Sequence, residues 1–135
     1  MRDFVLVAVG GSLGALARYG AGLAAAKLLG KGFPWGTLLV NVVGCFVMGI
    51  VIEALLDLES HLVITPAIRL RESLLRSGVA IGFLGALTTF STFGADTIRE
   101  LQGGAPLVAI TNVVANLVLS LVAVWCGVAM MQAMD

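Results

Sequence analysis

The chain runs to 135 residues, of which 59% are hydrophobic and 12% charged, with a formal net charge of zero and a mean hydropathy of +1.05. A soluble domain needs a polar shell that this composition does not supply, so the chain reads as an integral membrane protein. The balanced charge gives no footprint for nucleic acid, and Cys45 and Cys126, both in apolar runs, read as small buried side chains and not as a disulfide framework or metal site.

Apolar windows cover residues 4–26, 35–56, 74–95 and 107–131, each near the roughly 20 residues that cross a hydrocarbon core about 30 Å thick. They predict one all-α domain over 1–135, with no room for a soluble one. A cleavable signal peptide competes for the first window, because Gly22-Leu23-Ala24-Ala25-Ala26 looks like a small-residue cleavage site. Arg2 set against Asp3, and Arg18 within the run, argue against it.

In the first span Gly10 and Gly14 form a small-xxx-small pair suited to a close helix crossing. Arg18 either snorkels to headgroups or lines an aqueous vestibule that draws anions, while Tyr19 and Trp35 suit an interfacial aromatic belt. Leu29 to Pro34 forms the first connection, with Pro34 placed to start the second helix. Along that helix Thr37, Asn41, Gly44 and Met48 recur at helical spacing and so share a polar face. Asn41 either bonds another helix or points its amide into a permeation path, and Glu53 near the span end is a headgroup-level or vestibule carboxylate. Residues 57–73 are expected as a charged connection containing His61, with Thr65-Pro66 starting a short interfacial helix.

The third span is the unusual one. Gly82-Phe-Leu-Gly-Ala-Leu-Thr-Thr-Phe-Ser-Thr-Phe-Gly-Ala-Asp96 strings glycines, hydroxyls and phenylalanines through membrane depth, where polar backbone is tolerated only against protein, an ion or water. Glycine at such density lowers helix propensity, so a break is expected near Gly82, Gly85 and the Thr88-Thr89 pair. Phe90 and Phe93 share a face, and their electropositive edges suit a dehydrated anion or, more plainly, a core pair. Residues 98–106 close the next connection around Gly103-Gly104. The fourth span carries Asn112, Asn116 and Ser120 four residues apart, a polar track along an aliphatic helix.

Arg2, Arg69, Arg71 and Arg76 fall on one side of the membrane and Lys27, Lys31 and Arg99 on the other, with Arg18 inside a span. So even a distribution permits insertion both ways up and an antiparallel homodimer. The first, second and fourth spans hold no central carboxylate, which suits a small ion coordinated by uncharged donors.

These pieces together, Gly10-Gly11-Ser12-Leu13-Gly14-Ala15 with Arg18-Tyr19, Gly36 to Asn41 with Gly44, and Gly82 to Phe93, resemble the bacterial fluoride ion channel family over essentially the full length. The resemblance implies four-span, dual-topology homodimers of the inner membrane that conduct fluoride passively, without enzymatic chemistry. It implies that Phe90 and Phe93 line the fluoride path, that Asn41 bonds the ion, and that Ser91, Thr92 and Thr37 lie in the same track. Asn116 and Ser120 match small polar positions of the family's track, whereas Asn112 falls where many members have tyrosine. Arg18 would stand at the vestibule, and a sodium ion at the dimer centre would be held by the backbone carbonyls of Gly85 and Thr88 from both subunits. Two rivals differ in class. A small dual-topology drug–proton antiporter would be expected to carry a glutamate in its first span, and this one has none. A structural assembly subunit predicts no ion flux.

Overall fold

Four helices long and apolar enough to cross a membrane, Arg2–Leu28, Trp35–Glu59, Pro66–Gln102 and Pro106–Gln132, make up the computed structural model. It describes residues 1–60 and 65–134, so His61 lies outside the described residues. The elements in chain order are α1 (Arg2–Leu28), α2 (Trp35–Ser60), α3 (Pro66–Ser73), a π-helical stretch (Leu74–Leu84), α4 (Gly85–Leu87), α5 (Phe90–Gln102) and α6 (Pro106–Gln132). The fold is all-α, with one interruption between α4 and α5.

Start and stop chemistry explains most boundaries. Thr65 caps α3 by accepting the Ile68 N–H at 3.2 Å, with Pro66 at the first helical position. Gly30 and Gly104 close the two short turns with positive φ of 81° and 79°. Two connections are shorter than the sequence led one to expect. Helix α2 runs on to Ser60, where Glu59 pairs with Arg76, and α5 runs on to Gln102, leaving residues 103–105 as the turn. Charged residues at a helix end are therefore solvated helix here and not loop.

The third crossing starts at α3, passes without interruption into the π-helical stretch and reaches Leu87. Its wider winding shows in the Gly85 N–H, which bonds the Ala80 carbonyl five residues back. Helix α1 lies against this stretch at backbone distance: a Cβ on Gly10 would strike the Gly78 carbonyl oxygen, and one on Gly14 the Phe83 carbonyl oxygen. Helices α2 and α6 cross as closely, with Gly49 against the Val124 carbonyl and Gly127 against the Phe46 carbonyl. Without a hydrophobic drive inside lipid, such backbone contacts are what hold helices together. The small core of Val40, Val51, Leu84 and Leu87 fills the space between α2 and the third crossing.

One end of the bundle is tied by polar contacts. Ser73 donates to Asp3, Arg76 pairs with Glu59 and, at 3.5 Å, with Glu72, and Gln132 donates to Glu53 at 3.3 Å. Only 11% to 33% of each crossing is buried inside the protomer, so most helix surface is left for lipid or another protein.

Candidate functional site

The break falls at the threonines and not at the glycines. Thr88 (φ −78°, ψ 154°) and Thr89 (φ −154°, ψ 116°) are extended, while Gly82 and Gly85 remain helical. The reason lies on α2. Asn41 accepts the Thr89 N–H on Oδ1 at 2.8 Å and returns an Nδ2–H to the Thr89 carbonyl at 3.3 Å, pairing with the exposed backbone as a second strand would. Asn41 thereby takes the N–H that an uninterrupted helix would give to the Gly85 carbonyl. Thr89 Oγ1 accepts the Thr92 N–H at 3.2 Å and so caps the restarted helix α5, while Thr88 Oγ1 donates back to the Leu84 carbonyl at 2.9 Å. Gly44 makes room for this arrangement, because a Cβ there would strike Thr88 Cγ2.

Asn41 also joins α6. Its Nδ2 donates to Asn116 Oδ1 at 2.9 Å, Asn116 Nδ2 donates to Asn112 Oδ1 at 2.8 Å, and Asn112 Nδ2 donates to Thr97 Oγ1 at 2.9 Å. Asn112 is fully buried and Asn116 nearly so, at 0% and 4% exposure. Among the described residues no buried side-chain nitrogen or oxygen lacks a partner.

Two cavities share Thr89, the backbone partner of Asn41, in their linings. The inner one, about 290 Å³, is lined by Asn41, Thr88, Phe90, Phe93, Asn116 and Ser120, with Cys45 and leucines of α6 completing its wall. The Phe90 and Phe93 rings stand 5.3 Å apart at 58°, with Phe93 buried and Phe90 78% exposed on the protomer surface. The outer one, about 710 Å³, is lined by Arg18, Lys31 and Arg99 together with Thr37, Thr89, Thr92, Asp96 and Glu100. Because Arg18 faces this cavity with Lys31 and Arg99, it counts with that end of the molecule. The cations then stand four against four: Arg2, Arg69, Arg71 and Arg76 opposite Arg18, Lys27, Lys31 and Arg99.

The polar side chains singled out from sequence thus fall into groups. Asn41, Phe90, Phe93, Asn116 and Ser120 converge on the inner cavity; Arg18, Thr37 and Thr92 line the outer one. Ser91 is exposed beside Thr89, with their hydroxyls 3.2 Å apart, and Asn112 lines neither cavity. One residue escaped the sequence reading. Asp96, 14% exposed, accepts from the buried Thr37 hydroxyl at 2.7 Å and pairs with Arg99 at 2.9 Å, so a carboxylate lining the outer cavity is held with its charge compensated. The i,i+3 spacing of Asp96 and Arg99 signalled the pair; nothing local signalled Thr37.

Comparison with known proteins gives a consistent result. The family model described as CrcB-like protein, Camphor Resistance (CrcB), matches residues 5–128. The fluoride-specific ion channel FluC of Vibrio vulnificus is 44% identical over 127 residues, which cover 94% of this chain and 93% of the relative. The protein of the same name from Vibrio campbellii is 46% identical over 121 residues, 90% of this chain and 87% of that one. The Geobacter sulfurreducens protein is 41% identical over 128 residues, 95% of each.

Proposed function

We propose, since this chain belongs to the CrcB-like family of fluoride channels, that it exports cytoplasmic fluoride passively, replacing the ion's water with neutral side-chain donors and phenylalanine ring edges. As a member of that family it is a multi-pass protein of the bacterial inner membrane, lipid-bound on its apolar faces, and not an enzyme. The observation that supports the finer reading is the inner cavity, where Asn41, Asn116, Ser120 and the tilted Phe90–Phe93 pair meet beside an interrupted helix. Fluoride is small and strongly hydrated. Uncharged amide and hydroxyl donors compensate its dehydration without holding it so tightly that exit fails. Ring edges carry partial positive charge and add to that compensation, and the rings, with Phe90 packed against a second copy, disfavour a larger anion such as chloride. Ser91 and Thr92, exposed on the same turn as Phe90, continue the path toward Thr37, and Arg18 concentrates anions at the mouth. Since hydrogen fluoride enters from acid surroundings as a neutral molecule and ionises in the cytoplasm, membrane potential alone drives the anion out.

The working unit in this reading is an antiparallel homodimer. Phe90, Ser91, Thr92 and Gly85 are all exposed on the isolated protomer near the break, and a polar patch of that kind belongs against protein and not against hydrocarbon. The four-against-four cation balance supports insertion both ways up. The same patch fits a sodium ion at the dimer centre. The Gly85 carbonyl has lost its helical donor to Asn41, Thr88 is extended, and hard backbone oxygens suit an alkali cation once a second copy doubles their number. Bound there, sodium supplies a fixed positive charge between the protomers. Phe90→Ile tests the reading: fluoride-electrode recordings on reconstituted vesicles should show conduction lost with the dimer retained, and unchanged flux would reduce the ring to packing.

A further inference from the structure

Asn112 lines neither cavity, is fully buried and nevertheless stands one hydrogen bond from the amide that borders the inner one. We infer that Asn112 is a positioning residue that sets which end of the Asn116 amide faces Asn41, and through it the donor offered to the ion. The inference rests on the fluoride-channel reading above. An asparagine side chain accepts at one end and donates at the other, so its orientation decides whether it attracts or repels an anion.

The orientation is traceable bond by bond. The Thr97 hydroxyl donates its proton to the Phe93 carbonyl at 2.9 Å, within helix α5, so Thr97 Oγ1 is left to accept from Asn112 Nδ2. Asn112 Oδ1 must then turn toward Asn116, whose Nδ2 meets both that oxygen at 2.8 Å and the Asn112 carbonyl at 3.1 Å. Asn116 is thereby fixed with Oδ1 toward Asn41, which spends one N–H on it and the other on the Thr89 carbonyl. Beside the Ser120 hydroxyl, an ion in the inner cavity therefore meets one exchangeable amide donor, the Asn41 N–H resting on Asn116 Oδ1. Fluoride takes that donor from a neutral oxygen while the Asn41–Thr89 pairing persists, and the oxygen reclaims it on exit. Without Asn112 Oδ1 the Asn116 amide is held only by the longer bond to the Asn112 backbone carbonyl, and an amide that turns its donor end to the cavity holds the anion instead of exchanging a donor with it, which slows release.

The test is fluoride efflux from vesicles holding the dimer, measured on wild type, Asn112→Leu, Asn116→Leu and the double variant. A relay predicts that Asn112→Leu lowers flux by roughly tenfold and that the double variant loses no more than Asn116→Leu alone. Thr97→Val, which touches neither cavity and keeps its shape, should lower flux in the same direction, and it carries the test if Asn112→Leu fails to assemble. Wild-type flux in folded Asn112→Leu or in Thr97→Val, or a double variant whose loss is the product of the single losses, overturns the relay. Silence of the wild-type protein overturns the channel reading itself and this inference with it.

Discussion

Asn41→Asp separates the two duties of the α2 amide. The aspartate keeps an oxygen where Asn41 accepts the Thr89 N–H at 2.8 Å, so the break retains one of its ties. The other oxygen replaces a donor that now serves the Thr89 carbonyl at 3.3 Å and Asn116 Oδ1 at 2.9 Å. Two buried acceptors then lose their partners at about 1–3 kcal/mol each, which lowers stability without removing the fold. The effect on conduction is larger. An anion passing within about 4 Å of a carboxylate meets a repulsion of about 4 kcal/mol at an effective dielectric constant of 20, and that slows passage by nearly three powers of ten. The assay is fluoride efflux under a potassium gradient with valinomycin, on protein shown dimeric by size exclusion. Asn41→Leu, which adds no charge but removes the acceptor of the Thr89 N–H along with both donors, should melt below Asn41→Asp. Wild-type efflux from folded Asn41→Asp dimer would refute the reasoning, because no donor of Asn41 would then be in the path.

Other sites give smaller or differently shaped effects. Gly127→Ala places a methyl on the Phe46 carbonyl oxygen at the α2–α6 crossing and should cost about 1–3 kcal/mol, read as a lowered melting temperature in detergent. Arg18→Gln should reduce fluoride flux several-fold at low ionic strength and little at high, because charge at an open vestibule is screened. Thr37→Val removes the hydroxyl that holds Asp96 at 2.7 Å and should lower flux, through a carboxylate freed into the vestibule, with a stability loss near 1 kcal/mol. Exchanging sodium for a large organic cation during reconstitution should lose both dimer and flux together, and dimer retained at full flux would argue against the sodium reading.

The four crossings were legible because membrane thickness imposes a length, and length is visible in an apolar run. The winding of the third crossing was not. Over 11 residues from Leu74, the apolar pattern does not separate a π-helix from an α-helix, and the backbone packing of Gly10 and Gly14 against it is long-range. The break was expected around glycines and threonines together; glycine's low helix propensity proved the lesser cause. What fixes the interruption at Thr88–Thr89 is Asn41, 48 residues away in sequence, which the polar face of α2 identified as important without naming its partner. The candidate site was legible as a set of residue types at helical spacing. Its internal direction, from Phe93 through Thr97 and Asn112 to Asn41, appears only once three helices are side by side.

The most direct test of the account is efflux from liposomes containing the purified protein, recorded with a fluoride electrode and repeated with a chloride electrode under the same potassium gradient and valinomycin. Rapid fluoride release without chloride release is the result the account predicts. Release of both ions at similar rates, or of neither from folded dimeric protein, would contradict it.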